Sequence, residues 1–127
     1  MPALTIVLVA LAGALGALSR TGLTEAFGGD ALAPETLAVT LAINTLGALL
    51  LSLLRRFSHK VPSVAVVNAI GVGFLGAFTT WSAVVAVSAL AYGAGQTLLA
   101  ASYLLLTVVL GVGIAWLSRG RLAEQTR

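Results

Sequence analysis

The longest apolar segment of the chain is interrupted by the run Gly73-Phe74-Leu75-Gly76-Ala77-Phe78-Thr79-Thr80-Trp81-Ser82. A helix that faces lipid has no use for two glycines, two threonines and a serine so close together. Inside a bilayer every backbone polar group must be hydrogen-bonded within the protein, so a spanning helix is broken only where it lines a cavity or binds something. A helix broken at mid-membrane depth is a common way to build an ion site. The run therefore predicts an ion site within the membrane.

Composition restricts the class of protein further. The chain has 127 residues, of which 59% are hydrophobic and 9% are charged. A soluble domain of this size has no interior large enough for so much apolar surface, so we predict a single-domain, all-α membrane protein over residues 1–127. The sequence contains no cysteine, which excludes disulfides and thiolate metal sites. Its one histidine, His59, lies in a basic loop and offers neither a zinc site nor a histidine-based catalytic pair.

Four apolar segments are long enough to cross a bilayer, because a span needs about 20 residues. As a straight helix the third segment would be roughly 42 Å long, which exceeds a hydrocarbon core of about 30 Å and leaves room for a break at mid-membrane depth. We interpret the first segment as a retained span and not as a cleaved signal peptide, because no Lys or Arg precedes it and three more segments follow. The predicted spans are 4–23, 37–54, 63–90 and 97–117.

The basic residues are distributed unevenly between the two sides of such a four-span protein. The side that carries both termini and the second loop has six of them, whereas the other side has at most Arg20. The positive-inside rule then predicts a multi-pass protein of the cell inner (plasma) membrane with both termini in the cytoplasm. In a membrane chain this basic excess records topology, so we expect no nucleic-acid partner. The six are Arg55, Arg56, Lys60, Arg119, Arg121 and Arg127.

Polar side chains within the spans are candidates for the ion pathway. Thr40 and Asn44 share one face of the second span, and Tyr103 and Thr107 share a face of the fourth, because residues at i and i+4 are neighbours on a helix. For Asn44 taken alone, an interhelical hydrogen bond and a role in ion binding are equally consistent with the sequence. Arg20, near the end of the first span, has a simpler interpretation as a residue that extends its charge to the headgroups.

Acidic residues are absent from the centres of the spans. Without a carboxylate there is no group for proton coupling or for binding a cationic substrate. No serine has a histidine or lysine partner to activate it, so we predict that the chain is not an enzyme. What remains is a set of neutral donors, namely an amide, hydroxyls, aromatic ring edges and freed backbone N–H groups. This set suits a small anion, whose hydration shell several close donors must replace.

Three motifs together resemble the Fluc (CrcB) family of fluoride channels. The third-span run is similar to the family's Gly-Phe-x-Gly-Gly-Phe-Thr-Thr-Phe-Ser-Thr-Phe block, here continued by Ala83 and Val84. The first span resembles Gly-x-x-Gly-Ala-x-x-Arg at Gly13, Gly16, Ala17 and Arg20, and the second resembles Thr-Leu-x-Val-Asn-x-x-Gly from Thr40 to Gly47. Length, span count and motif order also agree, so the resemblance covers nearly the whole chain.

The resemblance implies an antiparallel dimer of four-helix subunits with two fluoride pores along the subunit interface. It also implies a central structural Na⁺ ion, which is not transported and which is held by the backbone carbonyls of Gly76 and Thr79 from both subunits. Arg20 would be a structural or vestibule residue. The fluoride pore would be lined by Thr40, Asn44, Thr80, Trp81, Ser82, Tyr103 and Thr107.

The chain departs from the family pattern at several positions of the third-span block. Val84 stands where the family has a second pore phenylalanine, and Trp81 stands in place of the first. Ala77 replaces a glycine and Ala83 a threonine. Because each pore of the family draws aromatic residues from both subunits, a chain that lacks one of them is expected to depend on its partner.

The function predicted from these observations is a fluoride-specific channel subunit that lets cytoplasmic fluoride leave the cell passively and so reduces its toxicity. The charge bias adds a second hypothesis, because a subunit that inserts in one orientation needs an oppositely oriented homologous partner. One alternative is a weakly conducting or non-conducting partner subunit of such a heterodimer. A small multidrug-type exporter is a more distant alternative, since it requires a membrane-embedded carboxylate.

Overall fold

A computed structural model describes residues 2–123, and all the regular structure within this range is helical. Two of the six basic residues counted above, Arg119 and Arg121, have side chains outside the described part, and Arg127 lies outside the described residues altogether.

The first two helices extend beyond the apolar segments that predict them. Helix α1 spans Pro2–Phe27. Helix α2 spans Pro34–Phe57 and is followed by a 3₁₀ turn at Ser58–Lys60. Pro34 occupies the first turn of α2, where its missing N–H costs no helical hydrogen bond. Both helices continue past the predicted span ends at residues 23 and 54, because backbone hydrogen bonding continues after the hydrophobic stretch ends. At the end of α1, for example, the Gly28 N–H donates to the carbonyl of Thr24 at 2.8 Å.

The third apolar segment contains several helical pieces. Helix α3 (Val64–Asn68) continues into a π-helical segment (Ala69–Leu75) and then into the short helix α4 (Gly76–Phe78). Helix α5 follows at Ser82–Gly93, and the last helix, α6, spans Thr97–Ala123. A π-helical turn carries one more residue per hydrogen-bonded ring than an α-helix, and such turns often occur at functional sites.

Four helical stretches in the described part of the chain are long and apolar enough to cross a membrane. This confirms the all-helical, four-span prediction. Many large apolar side chains face outward, among them Val64 and Leu98, which is the arrangement expected of helices that contact lipid. The four stretches are Ala3–Phe27, Pro34–Lys60, Val64–Gly93 and Thr97–Ser118.

Glycines bring α1 into backbone contact with the π-helical segment. A Cβ on Gly16 would overlap the carbonyl group of Phe74, and a Cβ on Gly73 would lie 2.6 Å from the carbonyl oxygen of Val9. Small residues at such positions let two membrane helices approach closely. The contact holds α1 against the part of the third segment that leads into Thr79 and the residues after it.

The interior of the bundle lies mainly between α2, α5 and α6. Val84 is fully buried and packs with Val87 of α5 and Tyr103 of α6. Leu37 and Leu41 from α2 cover this cluster. The arrangement fixes α5 against α6 and thereby orients the residues that precede α5.

Candidate functional site

Helical structure in the third segment stops at Phe78 and resumes at Ser82. Thr79 has extended backbone torsion angles, with φ −78° and ψ 156°. Thr79, Thr80 and Trp81 therefore connect two helices whose ends face each other. The candidate site is built around these three residues.

Asn44 of α2 binds both backbone groups of Thr80. Its Nδ2 donates to the Thr80 carbonyl at 2.8 Å, and its Oδ1 accepts from the Thr80 N–H at 2.8 Å. One side-chain amide thus satisfies a donor and an acceptor that a continuous helix would have paired internally. An unpaired backbone group in this environment would cost several kcal/mol, roughly, so the contact explains how the interruption is tolerated.

The diverted hydrogen bond leaves helix ends of opposite polarity side by side. In a continuous α-helix the Thr80 N–H would donate to the carbonyl of Gly76, but here it donates to Asn44. The last carbonyls before Thr79 therefore lack their usual partners, as do the first N–H groups of α5. Helix ends carry partial charges of about half an electron, negative at the carbonyl end and positive at the amide end. The site therefore offers cation-binding and anion-binding groups close together.

Thr80 also caps the start of α5. Its Oγ1 accepts from the N–H of Ala83 at 3.2 Å and lies 3.3 Å from the hydroxyl of Ser82. A side-chain oxygen that accepts one of the first helical N–H groups stabilises a helix start. Side chain and backbone of Thr80 together therefore determine where α5 begins.

Arg20 reaches the other side of the interruption. Its guanidinium Nε donates to the carbonyl of Ala77 at 3.3 Å, and the contact is partly buried. A cation beside the last carbonyls of a helix is favourable because it opposes their partial negative charge. Arg20 thus ties α1 to α4, whereas the simpler interpretation of the sequence directed its charge to the lipid headgroups.

A cavity of about 430 Å³ lies between α2, the interrupted segment and α6. Its walls contain no ionisable side chain. It brings together six residues that the sequence assigned to pore or cation site: Asn44, Gly76, Thr79, Thr80, Trp81 and Thr107.

The other predicted pore residues lie outside this cavity. Thr40 and Tyr103 are buried in the interior, where the Tyr103 hydroxyl donates to the carbonyl of Leu37 at 3.3 Å and interacts with the Thr40 side chain. Ser82 is exposed beside Thr80. These three residues lie near the site, but one subunit alone does not assemble them into a continuous track.

Two of the three cavity threonines, Thr79 and Thr107, already donate their hydroxyl protons to backbone carbonyls one turn earlier. Thr79 Oγ1 donates to the carbonyl of Leu75, and Thr107 Oγ1 donates to the carbonyl of Tyr103. An amide nitrogen carries two donor hydrogens, and Asn44 Nδ2 uses one of them on Thr80. The second N–H of Asn44 therefore remains for a bound anion, as does the indole N–H of Trp81, which also lines the cavity and makes no hydrogen bond within the described residues.

The two unusual residues of the third-span block have opposite environments. Trp81 is 57% exposed, so its ring edge is available to a ligand or to a second subunit. Val84 is fully buried within its own subunit. Val84 belongs to the interior, and its side chain does not line the cavity.

Gly47 is a site residue to which the sequence interpretation gave no role. A Cβ at this position would overlap the Thr79 methyl group, so only glycine fits against the interruption. The signal was present in the sequence, because Gly47 follows Asn44 by three residues and therefore shares its helix face. The Ala77 carbonyl that accepts from Arg20 had no such signal.

The residues suit a hard cation through backbone oxygens only. Among the described residues no group of three or more His, Cys, Asp or Glu side chains is placed to hold a metal ion. The Gly76 carbonyl has lost its helical partner and Thr79 is extended, so both lie in backbone that is free to present oxygen. Backbone carbonyl oxygens replace the hydration shell of an alkali cation in the selectivity filters of ion channels.

Comparison with known proteins gives consistent similarities. The family model described as CrcB-like protein, Camphor Resistance (CrcB), matches residues 7–119. The chain is 37% identical over 106 residues to Fluoride-specific ion channel FluC 2 of Listeria monocytogenes, which is 82% of this chain and 79% of the relative. It is 37% identical over 123 residues to FluC 2 of Symbiobacterium thermophilum, covering 94% and 97% of the two chains. No solved structure matches the chain at comparable significance.

Proposed function

Since this chain belongs to the CrcB-like family, we propose that it is a subunit of a fluoride-specific ion channel. The family is one of ion channels, and the chain is not an enzyme. Transport is passive, so it needs neither a cofactor that reacts nor an energy source. The physiological direction is export of cytoplasmic fluoride across the plasma membrane.

The observation that carries this proposal is the Asn44–Thr80 contact at the wall of a cavity without ionisable side chains. The contact stabilises the interruption, and N–H groups at the start of α5 lack their helical partners there, although the Ala83 N–H already donates to Thr80 Oγ1. Fluoride has a tightly held hydration shell, so several donors at close range must replace it. The spare N–H of Asn44, the freed amides and the ring edge of Trp81 are such donors.

The same cavity disfavours an exporter of cationic drugs. Such a transporter needs a carboxylate within the membrane, and none of the described acidic residues lines the cavity. Glu25 lies in the last turn of α1 and Glu35 in the first turn of α2, so both are near the same end of the bundle. In the cavity an organic cation would meet neutral donor groups, which do not offset its positive charge.

The interruption is proposed to lie at mid-membrane depth and to hold a structural Na⁺ ion. The carbonyls of Gly76 and Thr79 would supply oxygen ligands, and the rest would come from a second subunit. The ion would supply positive charge beside the fluoride path without being transported. Arg20, bonded to the neighbouring Ala77 carbonyl, adds positive charge on the same side.

The proposed assembly is an antiparallel dimer with pores along the subunit interface. The exposure of Trp81 and Ser82 supports it, because pore residues at the surface of one subunit need a second surface to enclose them. The uneven distribution of basic residues favours a single orientation with cytoplasmic termini. The partner is then an oppositely oriented homologous chain.

A non-conducting partner subunit is the second candidate. Val84 is the observation that suggests it, because this valine stands where the family pattern has a pore phenylalanine. The full burial of Val84 argues against this candidate, since a side chain enclosed by its own subunit does not line a pore. We therefore favour a conducting subunit.

The test is fluoride efflux from liposomes, followed with a fluoride electrode. The chain is reconstituted alone and with an oppositely oriented homologue from the same cell. Efflux that needs the homologue supports a conducting heterodimer, and robust efflux from this chain alone contradicts the heterodimer. Absence of efflux in both preparations contradicts the channel function.

Two substitutions of Trp81 test whether the fluoride efflux depends on the candidate site. Trp81→Phe keeps an aromatic edge and should conduct, whereas Trp81→Ala should reduce efflux by about two- to tenfold, the effect of one lost ring contact. Trp116 is also exposed but lies on α6 away from the cavity, so Trp116→Ala is the matched control. Equal loss in both alanine variants would contradict a pore role for Trp81.

A further inference from the structure

A second polar cavity lies at the end of the bundle where α2 ends. Its volume is about 270 Å³, and it opens between α2 and α6. Its polar groups come from Ser52, Arg56 and Ser118, and its remaining walls from Leu49, Leu53, Ile114 and Leu117. It shares no lining residue with the cavity at the helix interruption.

Two polar groups of this cavity have no partner among residues 2–123. Arg56 Nε is buried and makes no hydrogen bond. The hydroxyl of Ser52 also makes none within the described chain. Ser52 and Arg56 are four residues apart, so they lie on one face of α2 and point to the same space. A buried guanidinium donor without an acceptor is costly, which indicates that an acceptor from outside the described residues completes the site.

The acceptor must be anionic, because the guanidinium is always protonated and pairs best with a phosphate or a carboxylate. The described acidic residues do not supply it. Glu25, Asp30 and Glu35 all lie around the connection between α1 and α2, at the far end of α2 from Arg56. No carboxylate of the residues that the structure describes therefore pairs with Arg56, which leaves a place for a bound anion.

We propose that this cavity binds the phosphate of an anionic membrane lipid, with an acyl chain along the leucines. Arg56 and Ser52 would hold the phosphate near the bilayer surface. Leu49 is seven residues earlier on α2, about 10 Å deeper, so the apolar wall runs inward from the headgroup. Basic pockets between membrane helices are known to bind lipid headgroups in this way.

The surroundings of Arg56 agree with this position at the bilayer surface. Two cations lie near the Phe57 ring, whose centroid is 5.7 Å from the Arg56 guanidinium carbon and 5.4 Å from Lys60 Nζ. Aromatic rings and basic residues concentrate at the headgroup level of membrane proteins. A free fluoride ion is a poor occupant, because mostly apolar walls do not replace its hydration shell.

The experiment measures which lipid stays with the protein. The full chain is reconstituted in equal parts phosphatidylcholine and phosphatidylglycerol, extracted in mild detergent, and examined by native mass spectrometry. We expect phosphatidylglycerol to be retained over phosphatidylcholine by roughly fivefold, the effect of about one basic contact at the membrane surface. Equal retention of the two lipids would overturn the proposal.

Three variants separate a defined site from a general attraction to basic residues. Arg56→Gln should abolish the preference. Arg55→Gln removes the same charge from an exposed neighbour, and most of the preference for phosphatidylglycerol should remain. Ser52→Leu fills the cavity without changing charge and should also abolish it. Equal reduction by Arg55→Gln and Arg56→Gln, or normal retention in Ser52→Leu, would contradict a lipid site.

A last arm distinguishes lipid from free anion. Inorganic phosphate is added to the detergent-solubilised protein, and the unfolding midpoint is followed by intrinsic fluorescence. No Arg56-dependent shift is expected without lipid, because the apolar part of the ligand is missing. A shift with phosphate that disappears in Arg56→Gln, together with no retained phosphatidylglycerol, would assign the site to a free anion and overturn the proposal.

Discussion

Asn44 holds the amide and the carbonyl of Thr80 at once, each through a hydrogen bond of 2.8 Å. The side-chain amide thereby replaces the neighbouring turn of helix that Thr80 lacks. Because the same amide has a spare N–H beside the cavity, its structural role and its proposed fluoride contact are compatible. The two interpretations that the sequence left open for Asn44 are not exclusive.

The first prediction concerns the donor half of this contact. Asn44→Asp keeps an acceptor for the Thr80 N–H but removes the donor to the Thr80 carbonyl and adds negative charge. Loss of a buried partner costs about 1–3 kcal/mol, so fluoride efflux from liposomes should fall by about five- to 150-fold.

Asn68 provides the matched control for this change. It is also an asparagine of a spanning segment, but it does not line the cavity. Asn68→Asp should leave efflux within about twofold of the original chain, which is less than 1 kcal/mol. Equal efflux in Asn44→Asp and the unmodified chain would show that Asn44 does not act on the ion path.

A second prediction tests the contact between Gly47 and Thr79. Gly47→Ala places a methyl group where the Thr79 Cγ2 lies, so the residues of the interruption must move. Overpacking of this kind costs about 1–3 kcal/mol, and both the thermal unfolding midpoint and the efflux rate should fall. Thr79→Ser removes the obstructing methyl group, so the double variant should recover most of both losses.

Gly113 serves as the control for Gly47, because a Cβ there would meet no atom within 4 Å. Gly113→Ala should be neutral or slightly stabilising, since alanine favours helix more than glycine by about 1 kcal/mol. If Thr79→Ser gave no recovery, the loss in Gly47→Ala would have another cause than this contact.

A third prediction compares two glycines of α1. Gly16→Ala should prevent normal packing, because the new methyl group would overlap the Phe74 carbonyl and backbone cannot move aside cheaply. Gly22→Ala, on the same helix, has open space around it and should be tolerated. Gel filtration in detergent and the unfolding midpoint distinguish the two, and equal behaviour would contradict the close contact between α1 and the π-helical segment.

The fourth prediction concerns Val84. Restoring the family's phenylalanine with Val84→Phe should destabilise the subunit by about 1–3 kcal/mol, because the position is fully enclosed. If instead Val84→Phe raised fluoride efflux without loss of stability, the side chain would face a pore and the partner-subunit hypothesis would be favoured. Val85→Phe, at an exposed neighbour, is the control and should leave the unfolding midpoint unchanged.

Much of the fold was predictable because it depends on local properties of the chain. Apolar runs gave the four spans, and Pro34 marked the start of α2. The helix ends were less predictable, since hydrogen bonding carries α1 to Phe27 beyond the apolar run. Nothing in the sequence predicted the π-helical segment, whose extra residue per ring depends on its packing against α1.

The site was predictable in composition but not in geometry. Residue type and spacing singled out Asn44 and the third-span block. That Asn44 would bind Thr80, and that Val84 would be enclosed while Trp81 stays exposed, depends on how α2 and α6 pack around the interruption. Such packing is a property of three helices together, and a single helix pattern does not contain it.

The glycine contact between α1 and the π-helical segment has a consequence for assembly. Together with the Asn44 amide, it sets the geometry of the interruption using atoms of one chain alone. In the proposed dimer a second subunit would therefore meet a finished surface, so association would be a docking step and not a folding step. Dissociated subunits should keep their internal order, and exchange between partners should leave each half intact.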